Sequence, residues 1–380
     1  MGHTNSKPSA PRPGRLYHLD NFRNFLTTLV IFHHTAIPYG GLGSWPYSSP
    51  HHVQGSSPSL TAFNALNQTF FMGSFFYMSG VMSFQSLKRK KSVPQFLKTK
   101  WVKLGIPVAV YTLLGPPTQV AVIRLLRGTN AEFIEVLIGH LKALRSVKGP
   151  VWYSSLLLLF DTAYSLLPQM SLPNLGFWPA MILDIAACSL LRIPSLAHNI
   201  LAPLSVQANY FPQYLIAYIL GTTSGPKDPA SPPPPPLLTP ARRNALLATI
   251  LLSGSFIISL LRSRPAAEAY SFVFFDSGFN AAAVAYAVWN ESTGLLLGAS
   301  LMNLFERTEW GRRRWGSVGR YSYAALLVHP VICVGVQAAA EDWGVGAVLK
   351  SVVCGTVGVV GSWAVAWGVV RIPGVGKVLL

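Results

Sequence analysis

Apolar runs of helix length recur along this chain, and they leave it little choice of fold. They fall at roughly 22–40, 62–84, 104–123, 151–168, 176–191, 204–222, 244–261, 281–304, 318–338 and 346–369. A helix needs about 20 predominantly apolar residues to cross a bilayer. Within lipid, every backbone N–H and C=O must be satisfied inside the segment, which a helix does by itself. The expected fold is all-α, a polytopic transmembrane helical bundle of about ten spans. Composition points the same way. Only 11% of the 380 residues are charged, against about 25% in a soluble domain. That is too little charge to cover a water-facing surface.

The formal net charge is +17. In a soluble protein such a charge would suggest a nucleic-acid partner. Here the cations sit in short connections between apolar runs, so no nucleic-acid partner is expected and the lipid bilayer is. With ten spans both termini share one side, and 20 of the 30 Lys and Arg residues fall on it. By the positive-inside rule that side is cytoplasmic. The third connection, with Arg124, Arg127, Lys142, Arg145 and Lys148, runs against the bias. An amphipathic segment on the far surface, or a miscounted span, would account for it.

Residues 1–16 are expected to be a flexible cytoplasmic tail, 17–370 the membrane domain and 371–380 a short cytoplasmic tail. Residues 223–240 carry five consecutive prolines, Pro232 to Pro236, and read as a semi-rigid cytoplasmic linker. Residues 41–61, rich in Gly, Ser, Pro and aromatics, form the first non-cytoplasmic loop. Lys7, Arg12 and Arg15 precede the first run with no small-residue cleavage site after it, so a retained signal anchor is expected. The reading is an integral multi-pass protein of the ER/Golgi endomembranes or the plasma membrane. Cys188, Cys333 and Cys354 lie in apolar runs without CxxC spacing. Packing is their expected role, with neither a disulfide framework nor a metal site.

The chemistry concentrates in residues 20–34, Asp-Asn-Phe-Arg-Asn-Phe-Leu-Thr-Thr-Leu-Val-Ile-Phe-His-His. Ionisable groups inside a membrane helix are costly, and each one marks a functional candidate. Arg23 and His34 are about three helical turns apart, so they share a face and stand about 16 Å from one another along the axis. His33 lies about 80° round the helix from Arg23. Asp20 comes one turn before Arg23. His34 suits a general base, and Arg23 an anionic donor or a developing charge. The plainer reading is an arginine snorkelling to the headgroups and a histidine bonded to a neighbouring helix.

A basic connection follows the second run. Lys100 and Lys103 are one turn apart on one helix face, and with Arg89 they would grip a phosphate-bearing ligand. Stop-transfer charge and attraction to anionic lipid explain the same residues. Gln68, Trp152, Glu291 and His329 are polar groups inside later spans and, with His33, are expected to line a cavity. Asp161 and Asp184 are further carboxylates within spans.

These residues resemble the acyltransferase-3 family of integral-membrane acyltransferases, in the fungal form of its glucan-biosynthesis succinyltransferase-like branch. The pieces that carry the resemblance are His18-Leu19-Asp20-Asn21-Phe22-Arg23-Asn24-Phe25-Leu26-Thr27, then His33-His34-Thr35-Ala36-Ile37-Pro38-Tyr39-Gly40-Gly41. Weaker pieces are Phe70 to Gly80, Gly105-Ile106-Pro107, Gly149 to Tyr153, Phe211 to Tyr214 and Ser322 to Pro330. The resemblance runs from about residue 16 to 370. It implies about ten spans and transfer of an acyl group from acyl-CoA, as co-substrate, to a hydroxylated acceptor. The family's arginine–ten residues–histidine motif lands on Arg23 and His34. Its basic motif has two arginines three apart. Lys100 and Lys103 stand there in this chain, keeping the charge and losing the bidentate fork on phosphate.

The expected mechanism has acyl-CoA held by Lys100, Lys103 and Arg89, with His34 as base or transient acyl carrier and Arg23 and Asp20 orienting. No bound cofactor is expected. The acyl chain and the acceptor, whether glycan, lipid or secondary metabolite, stay open. The alternative is a transporter or proton-coupled channel lined by His34, Asp161, Asp184, Glu291 and His329.

Overall fold

The computed structural model describes residues 16–90, 92–130, 132–144, 146–167, 176–192, 202–224, 238–262 and 281–380. The tail assigned to residues 1–16, all but its last residue, lies outside the described residues, as does the centre of the 223–240 linker. Every regular element among the described residues is helical. In chain order they are α1 (Tyr17–Ala36), α2 (Pro58–Lys90), α3 (Val93–Lys100), α4 (Ile106–Leu126), α5 (Phe133–Lys142), α6 (Val151–Leu166) and α7 (Phe177–Leu190). Then come α8 (Phe211–Ser224), α9 (Pro240–Arg262), α10 (Ala281–Arg307), α11 (Glu309–Arg312), α12 (Ser322–Ala339), α13 (Ala347–Val369) and α14 (Val375–Leu379).

Among the described residues, four stretches are long and apolar enough to cross a membrane: Val93–Leu126, Pro240–Leu260, Ser322–Ala339 and Ala347–Val369. In the first, a π-helical turn, Trp101–Gly105, joins α3 to α4. α1, α2 and α10 are long enough, but their apolar character is diluted by polar residues such as Asn24, Asn67 and Glu291. Those residues are buried inside the bundle, where a polar group can find a partner that lipid would not supply. α6, α7 and α8 have only 16, 14 and 14 residues.

α1 is helical because nothing from Tyr17 to Ala36 interrupts it: no Gly, no Pro. It ends where Ile37-Pro38-Tyr39 tighten into a 3-10 turn and Gly40 takes φ +106°, a left-handed conformation that glycine adopts without the Cβ clash of other residues. Its start is tied down by Asn21, whose amide donates to the carbonyls of Gly311 and Arg313, both at 2.8 Å. α1 thus stands at the centre, packed by α2, α10, α12 and α13.

The tightest pairing is α2 with α8. Gly80 and Gly221 permit it: a Cβ on Gly80 would meet the Tyr218 carbonyl, and one on Gly221 the Tyr77 carbonyl. Small residues are how membrane helices bring their backbones together. Around this seam an aromatic core gathers Phe22, Phe75, Phe76, Tyr153, Phe160, Tyr214 and Tyr218.

Gly115-Pro116-Pro117 falls in the middle of the 104–123 run, where proline would ordinarily kink or break a helix. α4 instead runs through both prolines. Pro116 has no N–H to give the carbonyl of Thr112 one turn back. His140 of α5 supplies the missing donor, from Nε2 at 2.8 Å. The gap in the helix ladder becomes the docking point of the next helix. α5 itself lies in the basic third connection.

Candidate active site

A cavity of about 220 Å³ lies beside the last turn of α1. Its walls include Val30, His33, His34, Gln68, Phe71, Met72, Phe75, Trp152, Tyr153 and Tyr214, with Gly43 and Ser44 from the loop after α1. It sits at the end of the bundle that carries the 41–57 loop, opposite the end that carries the basic connection.

His34 is the best-placed titratable group. Its Nδ1 lies 2.9 Å from Nε2 of His329 on α12. Nδ1 of His329 lies in turn 2.6 Å from the carbonyl of Leu326. The two imidazoles are within 5° of coplanar. One nitrogen of His34 is therefore occupied by a residue that is not part of the cavity wall. Over the ring lies the indole of Trp45, 4.5 Å away and tilted 18°. Trp45 is fixed by its N–H, which donates to Gln337 Oε1 of α12 at 2.7 Å. His33, on the neighbouring wall, is buried with its Nδ1 unpartnered.

The loop that carries Trp45 roofs this end. Arg127 pins it, donating to the Ser48 carbonyl at 3.1 Å and, through two nitrogens, to Glu341 at 2.6 and 2.9 Å. The guanidinium also stands over the Tyr47 ring. Burial first, and the Glu341 charge second, push the Tyr47 phenol up. Burial, then the Lys350 ammonium, push His52 down. Both side chains are therefore uncharged at neutral pH.

Of the residues expected to line a cavity, the structure places His33, Gln68 and Trp152 on the wall of this one. Two other residues do not. His329 is fully buried one layer behind His34. Glu291 is turned into a separate polar cluster. There it accepts from Gln213 Nε2 and Asn290 Nδ2, both at 2.7 Å, and lies beside Asp184. Buried carboxylates satisfy themselves with the nearest donors, and for Glu291 these lie on α8 and on α10 itself. Asp184, Cys188 and Glu291 bring one ligand atom each within 4.8 Å of one another. The two amide donors take a lone pair on each Glu291 oxygen.

At the other end of α1, Arg23 and Asp20, expected to orient the donor, form an ion pair with each other at 3.6 Å, both partly exposed. Arg23 lies within electrostatic range of Tyr153 on the cavity floor. Lys100 has a partner the sequence did not reveal. Its ammonium is 2.9 Å from buried Asp161 and donates to Ser83 at 2.9 Å, while Tyr218 donates to the same carboxylate at 2.7 Å. Lys100 is thus drawn inward, Lys103 is half-buried and Arg89 exposed. Trp45 was the residue missed altogether. Its only sequence signal was an aromatic in a loop without Lys or Arg.

Among curated proteins and among solved structures, nothing matches this chain. The family comparison does find a match: the acyltransferase-3 model, an acyltransferase domain, covers residues 16–367. With a helical membrane bundle, a histidine on an internal cavity and a family match over nearly its whole length, this chain belongs to the acyltransferase-3 family and is a membrane acyltransferase.

Proposed function

We propose that the protein moves an acyl group from acyl-CoA to a hydroxyl of a small-molecule, lipid or glycan acceptor, in the manner of the succinyltransferase-like branch. The observation that supports this best is the imidazole of His34, which borders a cavity and is hydrogen-bonded to a residue that is not part of its wall. His34 takes the acceptor's hydroxyl proton as that oxygen attacks the thioester carbonyl. The C–S bond breaks, and the proton passes to the departing thiolate. Ester and free thiol leave, and the histidine is unchanged. An imidazole nitrogen can take the proton in the first half of this exchange and return it in the second. Gln68, Trp152 and Tyr153 offer N–H and O–H donors on the walls for the charge that develops on the carbonyl oxygen.

The anionic end of the donor is placed at the basic end of the bundle, near Arg23, Lys103 and Arg89. Lys100 shapes that region through Asp161 and keeps less of its charge for a phosphate. Both termini and this basic end are assigned to the cytoplasm, in an endomembrane or the plasma membrane. The transporter alternative needed one continuous path of acids and histidines. Those groups instead fall in three separate sets: His34 with His329, Asp161 with Lys100, and Asp184 with Glu291.

The test is acyl-CoA-dependent acylation by the purified protein in proteoliposomes, with acceptors taken from the host membrane and wall. His34→Ala should lower turnover by about 10²- to 10⁴-fold, the usual worth of a general base, with unchanged insertion and yield. Residual turnover above about a tenth of wild type would remove His34 from the chemistry.

A further inference from the structure

In an α-helix the carbonyl of Leu326 would accept from the backbone N–H four residues on. That residue is Pro330, which has no N–H to give. The freed carbonyl lies 2.6 Å from Nδ1 of His329. A carbonyl only accepts, so Nδ1 of His329 carries the hydrogen. The ring is fully buried, and its two nitrogens meet a carbonyl and another imidazole. Neither partner compensates a charge, so the ring is neutral and its Nε2 is an acceptor. The 2.9 Å contact is then a hydrogen bond donated by Nδ1 of His34. That leaves the lone pair of His34 on Nε2, on the ring edge away from His329.

We propose that Pro330 and His329 are a tautomer lock: the proline frees a carbonyl, the carbonyl fixes His329, and His329 holds His34 with Nε2 unprotonated toward the cavity. The proposal deepens the reading of His34 as base and rests on it; His329 is a positioning residue. In serine hydrolases a buried carboxylate performs this task. A neutral imidazole backed by a backbone dipole does the same work without placing an anion in the membrane interior. When Nε2 takes a proton, the chain of bonds to Leu326 polarises to meet the charge, and the face of Trp45 lies against it.

The experiment uses the full-length protein in phospholipid nanodiscs, labelled with ¹⁵N-histidine. The ring nitrogens report the tautomers directly, and His34→Gln and His329→Gln assign the signals. In wild type both rings should carry hydrogen on Nδ1. In His329→Gln the amide oxygen can still accept from His34, so the tautomer of His34 should persist and turnover should stay within about tenfold of wild type. In His329→Leu the acceptor is gone. His34 should then shift toward hydrogen on Nε2, and turnover should fall at least about 100-fold with the KM for acyl-CoA unchanged, in the direction seen when a catalytic histidine loses its orienting partner. Pro330→Ala restores a competing N–H and should give His329 a mixture of tautomers.

Equal activity of the Leu and Gln variants would overturn the proposal, as would a His34 that keeps hydrogen on Nδ1 in the Leu variant. A His329 unaltered by Pro330→Ala would remove the proline from it. These failures are distinct from failure of the base assignment, which His34→Ala tests by activity alone.

Discussion

At the scale of single residues, the site depends on what lies against one imidazole. His34 has His329 at its edge and Trp45 on its face. An aromatic face over a ring that gains positive charge contributes about 0.5–2 kcal/mol. Trp45→Ala should therefore lower kcat by about tenfold, and Trp45→Phe by less, measured in the same liposome assay with acyl-CoA saturating. An unchanged kcat in the alanine variant would make Trp45 a mere cover. The Arg23–His34 alignment was legible in sequence because both residues lie on one helix, whose period is known in advance. The partners of His34 were not. His329 is 295 residues away, and Trp45 arrives on a loop whose path no periodicity encodes. Glu291 was readable as an inward-facing carboxylate, but the wall it faces depends on where α7 and α8 pack.

At the scale of elements, helices are joined by groups that lipid would leave unsatisfied. Pro116 opens the α4 ladder and His140 of α5 fills it. Lys100 at the end of α3 reaches Asp161 of α6. Breaking a buried ion pair strands the other charge, at a cost of about 3–5 kcal/mol, whereas replacing both partners by apolar residues is often neutral. Asp161→Leu should thus lower thermal stability in detergent markedly, and Lys100→Met with Asp161→Leu should recover most of the loss. Equal losses in the single and the double variant would mean that the pair adds nothing to holding α3 on α6. Helix existence was plain from the apolar runs. The unbroken passage of α4 through Gly115-Pro116-Pro117 was not, because the compensating donor comes from outside the helix.

At the scale of the whole molecule, the two ends of the bundle differ in charge and in content. One carries the basic connections and the ion pair of Arg23; the other carries the roof and the cavity. If the positive-inside bias sets orientation, Ser49→Cys in the roof and Ser92→Cys beside the basic connection should react with a membrane-impermeant maleimide from opposite faces of sealed vesicles. The native Cys188, Cys333 and Cys354 are all buried and should give little background. Labelling of both new cysteines from one face would contradict the assigned topology. Which connections carry the cations was legible from the sequence. The cavity's place at the end opposite the basic connection of residues 88–103 was not, since it depends on how far α1 extends before Gly40 turns the chain.

That extent of α1 has a consequence for the donor. A rigid rod with a cation low on it and a base about 16 Å higher acts as a ruler. With Arg23 on the donor's anionic terminus and His34 at its reactive carbon, as proposed, the rod would select a carrier by the span between the two. A carrier whose arm falls a few ångströms short would dock and never react, whatever acyl chain it bore.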